Sequence, residues 1–310
     1  MTLYESTRPN VSVFRRMTSL TPQEFDDILP RFIAGLADLA TAEEAIRPRP
    51  RKNKPGQGAR SRLESPQEKF FFMLVYYCTY PLQVIQGILF GLSESQTCRT
   101  IHRLAPVMET TFALTAPTRD AAALKAALLR AEAAGVEPVA AIDGTERPVQ
   151  RPSSAAQQKD LYSGRFKQHA FKNLLISVMS MVIFLSETVT ARRHDKNVAD
   201  ACRFILPKGW MLLQDTGFQG LEIGDALGAM PIKKKKGCEL AGWEKDFNRA
   251  VSSRRVSVEH AIGGCKRARI VKDIYRNRRE GFNDHVMLVA ASLHNHRRVC
   301  RNESCKALFF

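Results

Sequence analysis

Residues 135–152 read GVEPVAAIDGTERPVQRP. The apolar run Val139-Ala140-Ala141-Ile142 stops at Asp143, and Gly144, Thr145 and the basic turn Arg147-Pro148 follow. A short apolar run bounded by turn-forming residues predicts a buried strand that delivers a carboxylate to a sheet edge. One such aspartate is a weak signal, because turns and caps use aspartate for their own hydrogen bonds. The pattern repeats at Met211-Leu212-Leu213-Gln214, which stops at Asp215 and continues Thr216-Gly217. A third acid, Glu259, falls in the basic helical stretch 249–269. Two strand-end aspartates and a helical glutamate supply the hard oxygen ligands that magnesium prefers. Two such ions about 3.5–4 Å apart stabilise both oxygens of an in-line phosphodiester displacement.

Around Glu259, Arg255 and Lys266 lie four residues before and seven after, so all three project from nearly one helical face. Arg255 and Glu259 then form either a surface ion pair or, if Glu259 holds metal, a ligand with Arg255 and Lys266 beside it as phosphate clamps. The run Lys233, Lys234, Lys235, Lys236 lies between the second and third acids. Its default is a solvated loop, and its place suits a phosphate contact. Asp195 follows His194 ahead of an expected helix at 197–206, where an N-cap role competes with that of a further ligand.

Composition narrows the partners. Lys and Arg total 47 against 31 Asp and Glu, a formal charge of +16 that makes nucleic acid the leading partner. The longest apolar run, near Phe70–Tyr77, is too short to cross a bilayer, and no signal-peptide core opens the chain, so an intracellular protein with no membrane partner is expected. Seven scattered cysteines without a CxxC suit a reducing compartment. The spacing of His294, His296, Cys300 and Cys305 matches no common zinc finger.

Five segments are expected. Residues 1–46 are a helical segment, with Thr21-Pro22-Gln23-Glu24 as a capping box. Residues 47–64 are a basic linker; within 47–62 stand seven basic residues, three prolines and no acid. Residues 65–134 hold helices after Ser65 and Pro81, a third after Ser93, and an Ala- and Leu-rich connecting helix from Asp120. The turn at Gly91 suggests a helix-turn-helix whose last helix turns Ser95, Gln96, Arg99 and Arg103 toward DNA and Ile101 and Leu104 toward the core. Residues 135–299 are the acid-bearing domain, with a hairpin over 171–190 and a packing helix at 282–299. Residues 300–310 form a tail.

The phrases AIDGTERPVQRP, FKNLLISV, LQDTGFQG, FNRAVSSRRVSVEHAIGGCKRARI and LHNHRR resemble the DDE-superfamily transposases of the bacterial insertion-sequence family number five, and more distantly the Harbinger elements. The likeness covers about residues 20–298, and the acid separations of 72 and 44 residues fit it. Arg255, Glu259 and Lys266 match a signature in which Ser252 replaces a tyrosine. The resemblance implies an α/β, RNase H-like domain with a mixed five-stranded sheet flanked by helices, preceded by an all-α helix-turn-helix region. It implies Asp143, Asp215 and Glu259 as catalytic metal ligands for two Mg²⁺ or Mn²⁺ ions. It also implies DNA cleavage and strand transfer at terminal inverted repeats by a dimer or higher oligomer, and the expected location is cytoplasmic and nucleoid-associated in a bacterium, or nuclear in a eukaryote. The alternative is a domesticated, transposase-derived DNA-binding protein that no longer transposes.

Overall fold

The computed structural model describes residues 1–47 and 62–309, so nearly all of the expected basic linker lies outside the described residues. The chain forms two compact units, 1–114 with 267–270 and 115–266 with 271–310.

The first unit contains α1 (Leu3–Thr7), α2 (Val11–Thr18), α3 (Pro22–Ala45), α4 (Pro66–Thr79), α5 (Gln83–Phe90) and α6 (Glu94–Phe112). Local sequence sets the helix starts. Thr21 with Glu24, Ser65 with Glu68 and Ser93 with Gln96 each close a capping box, and Pro22 and Pro66 open their helices. Rings from four helices, among them Phe14, Phe25, Phe32, Phe70, Phe71 and Phe112, make the core. Gly91, at φ 67°, turns α5 into α6. Gly87 lets the two helices meet closely, since a Cβ there would stand 2.4 Å from the Leu92 carbonyl oxygen. The buried residues of α5 are Gln86 and Gly87, while Val84, Ile85 and Leu89 stay at the surface.

The second unit contains α7 (Ala121–Ala133), β1 (Val139–Pro148), α8 (Ala155–Leu161), β2 (Tyr162–Ser163), β3 (Gln168–Val178), β4 (Met181–Leu185), β5 (Val189–Thr190), α9 (Asp195–Cys202), β6 (Met211–Leu213), β7 (Leu227–Ala229), α10 (Gly242–Cys265), α11 (Arg269–Lys272, whose first two residues belong to the first unit) and α12 (Phe282–Arg301). Among the described residues the sheet has seven strands rather than five. The extra two, β2 and β5, are two-residue pairings on β3. The remaining order is β4-β3-β1-β6-β7, in which β3 alone runs against its neighbours. Met179 and Ser180, at φ 51° and 61°, form the tight turn of the expected hairpin.

Strand alternation sorts the two faces of the sheet. Ala140 and Ile142 of β1 join Leu212 of β6 in one core with α7 and α9. Ala141 and Leu213 turn to the opposite face against Val258 of α10. The helix at 121–133 packs into the first of these cores, within the compact unit that begins at Thr115. Cys305 and Leu308 of the C-terminal segment are buried in the same core.

Candidate active site

β1 pairs in parallel with β6 only through Ala141↔Leu213, and beyond that pair the strands part. Asp143 and Asp215 each stand two residues past it, at neighbouring places, with the parity that turns Ala141 and Leu213 toward α10. The strand itself does not end at Asp143. It continues to Pro148 along β3, so Asp143 sits at the mouth of the crevice that β6 leaves open. Arg147, expected in a turn, is a buried strand residue that donates to the Asn283 carbonyl and to Thr188 Oγ1. Full burial pushes its pKa down to about 10.

A cavity of about 480 Å³ opens at this mouth, lined by Asp143, Thr145, Glu146, Lys172, Asp195, Glu259 and Lys266 among others. Asp143 Oδ1 accepts from the Gly144 amide at 2.8 Å, and Arg255 Nη2 stands 4.0 Å from Asp143 Oδ2. Burial raises the Asp143 pKa and repulsion from Asp215 and Asp195 adds to the rise, against the opposing pull of the Gly144 amide and Arg255. Asp215 lies outside the cavity lining and caps a short turn through the Gly217 amide at 2.7 Å. Lys266 ends α10, and its pKa is lowered by burial although Glu146 and Asp143 favour its charge. Glu259 and Lys266 thus line one cavity with Asp143, and Arg255 stands beside Asp143.

The lysine run has a different position. Lys233, Lys234, Lys235 and Lys236 are exposed between β7 and α10, outside the lining of the cavity. Asn248 fixes the start of that loop by bonding both the amide and the carbonyl of Ile232. Lys234 pairs with Glu239 at 2.5 Å.

In the first unit, Ser95, Gln96, Arg99 and Arg103 are exposed on α6 while Ile101 and Leu104 are buried. Two of the four are already engaged. Gln96 Oε1 accepts from the Ser93 amide, and Arg103 forks onto both Glu43 oxygens at 2.6 and 2.8 Å.

Among the polar residues lining the cavity, Glu146, Lys172 and Thr145 are examples that carried no site signal in the sequence. Asp195 is also placed differently from a cap. His194 is the N-cap of α9, and the Asp195 carboxylate reaches the cavity instead. His294 is structural: its Nε2 lies 2.8 Å from the Ser180 carbonyl oxygen.

An internal antiparallel strand within an otherwise parallel sheet, with helices on both faces and acids at the crevice, defines an RNase H-like domain. Residues 142–295 match the family described as DDE superfamily endonuclease, and residues 61–113 match the helix-turn-helix of DDE superfamily endonuclease. The chain is 28% identical over 279 residues to a "Probable transposase for insertion sequence element IS702" of Microchaete diplosiphon, covering 89% of this chain and 91% of the relative. No solved structure matches significantly. The chain belongs to the DDE-superfamily transposases of insertion sequences, a family of nuclease-type enzymes with a DNA-binding helix-turn-helix.

Endonucleases of this superfamily use divalent metals, and the donors here suit a hard cation. The cavity offers carboxylates, and Thr145 Oγ1, Glu146 Oε2 and Asp195 Oδ1 are buried there without an aligned hydrogen bond. Among the described residues no three acid, histidine or cysteine side chains already enclose one point, so the acids stand around a space rather than in a closed cage. No helix among the described residues is long and apolar enough to cross a membrane.

Proposed function

We propose that this transposase cleaves DNA at the terminal inverted repeats of its insertion sequence and joins the freed 3′ end to target DNA, with Asp143, Asp215 and Glu259 holding two Mg²⁺ or Mn²⁺ ions. The observation that carries this reading is the shared cavity of Asp143 with Glu259 and Lys266, at the crevice where β6 parts from β1 and Asp215 follows β6. The bound cations supply charge stabilisation at the attacking and leaving oxygens. Arg255 and Lys266, beside Asp143, hold the phosphates flanking the scissile bond. Ser95, Gln96, Arg99 and Arg103 orient α6 on the duplex, and Lys233–Lys236 follow its backbone farther out. The protein works as a dimer or higher oligomer on DNA in the compartment that holds the genome.

The test is strand cleavage of a supercoiled plasmid carrying the gene's own flanks, with Mg²⁺ or Mn²⁺. Nicks mapping to the element ends and reduced about a thousandfold in Asp143→Asn, the loss of about 4 kcal/mol, support the reading. Undiminished nicking by Asp143→Asn would refute it. Flank binding by the wild type without cleavage would favour a DNA-binding protein that has lost transposition.

A further inference from the structure

Asp195 reaches the site from α9, on the opposite side of the sheet from α10. Its carboxylate lies directly over Gly144: a Cβ on Gly144 would stand 3.0 Å from Asp195 Oδ1 and 3.3 Å from Oδ2. Lys172 of β3 holds it there. The Lys172 ammonium is 2.8 Å from Asp195 Oδ1 and 3.8 Å from Glu146 Oε1, and it donates to the Arg193 carbonyl at 2.8 Å. Glu146 is the cross-strand partner of Lys172, so strand register fixes this pair and α9 brings the second acid.

The arrangement is incompletely satisfied. Despite its distance, Lys172 is not aligned to hydrogen-bond Asp195 Oδ1, and Glu146 Oε2 also lacks a partner. Thr145, only 3% exposed, lines the same cavity, and its Oγ1 is a third buried oxygen without a partner. Leaving buried oxygens unmatched costs free energy, and a hydrated divalent cation offers what they lack: positive charge with hydrogen-bond donors on the waters it keeps.

We propose that Asp195 is a positioning residue of the cation site, a fourth carboxylate held over Gly144 by Lys172 that receives the water shell of a cation bound at Asp143. This rests on the reading of Asp143 as a ligand. Glu146 and Thr145 border the same shell.

The test is Mn²⁺ binding to the full chain, followed by the paramagnetic signal of free Mn²⁺, with metal-free melting as a control for folding. Asp195→Asn weakens Mn²⁺ binding about tenfold or more, as loss of an outer partner does at other metal sites. Lys172→Gln combined with Asp195→Asn restores the net charge of the group but leaves no acid at 195, and its Mn²⁺ binding stays weak. Gly144→Ala, which removes no charge, displaces the Asp195 carboxylate and weakens binding as well. Wild-type Mn²⁺ binding by the double variant or by Gly144→Ala would overturn the proposal, since Asp195 would then be only a counter-ion for Lys172. Wild-type binding by Asp143→Asn would instead remove the reading of Asp143 on which it rests.

Discussion

Asp143 is harder to ionise in the folded chain than in the unfolded one, chiefly because it is buried and further because Asp215 and Asp195 face it. A carboxylate whose folded pKa is raised binds protons more tightly when folded, so it subtracts stability as pH rises above the unfolded value near about 4. Asp143→Asn removes that cost. In metal-free buffer at pH 7 the variant melts at a higher temperature than wild type, and the gap shrinks as pH falls toward the ordinary carboxylate range. Melting curves at several pH values check this, and a gap that widened on acidification would contradict it. Adding Mn²⁺ raises the melting temperature of wild type more than that of the variant, because only wild type keeps the full acid set. If Asp143 is the ligand proposed above, the site trades stability for function, as functional sites commonly do.

At the scale of elements, α10 must be held against the sheet for Glu259 and Lys266 to meet Asp143. α12 holds it. Arg297 donates to the Gly264 carbonyl at 2.6 Å, and a Cβ on Gly264 would stand 2.1 Å from His294 Nδ1. Neither ring nor helix can yield easily, because His294 is itself bonded to the hairpin at Ser180. Gly264→Ala therefore destabilises the unit by about 1–3 kcal/mol. Thermal unfolding measures that loss, and plasmid nicking should fall with it as α10 shifts. On α6, Arg103 is forked onto Glu43, whereas Arg99 is exposed to solvent and free to meet a phosphate. Arg99→Ala therefore lowers the affinity for a flank duplex about fivefold to tenfold and makes the salt slope shallower by about 1, as expected when one phosphate is no longer neutralised. Arg103→Ala loses less, and a titration in two salts distinguishes them.

For the molecule as a whole, a formal charge of +16 makes association with DNA depend on salt. The lysine loop lies outside the cavity, so the phosphate contacts proposed for it predict a part in duplex binding rather than in the cut itself. Replacing Lys233, Lys234, Lys235 and Lys236 by alanine lowers affinity for unrelated and flank duplexes alike. The slope of log K against log salt becomes shallower by about 0.9 for each phosphate that the loop no longer neutralises. Because Lys234 is partly spent on Glu239, the change is nearer to that of three lysines than of all four. Cleavage at saturating protein stays close to wild type. A loss of affinity confined to the flank sequence would assign the loop to base reading instead.

The sequence by itself determined whatever depends on neighbours along the chain. Capping boxes at Thr21, Ser65 and Ser93, the hairpin at Met179-Ser180 and the shared face of Arg255, Glu259 and Lys266 all follow from short spacings. Asp143 and Asp215 were legible for the same reason, each ending an apolar run that a strand must bury. Only tertiary structure decided what Asp195 does. As a residue at a helix start it looked like a cap, and nothing local reveals that Lys172 and Gly144 wait for its carboxylate. Glu146 beside Lys172 is a matter of strand register, and Gly264 against His294 of helix crossing. The burial of Cys305 and Leu308 in the core was hidden likewise, because the apolar surface that receives them comes from distant strands and helices. Local hydrogen bonds and side-chain periodicity act over a few residues, whereas the acids of this site acquire their partners only when the sheet closes.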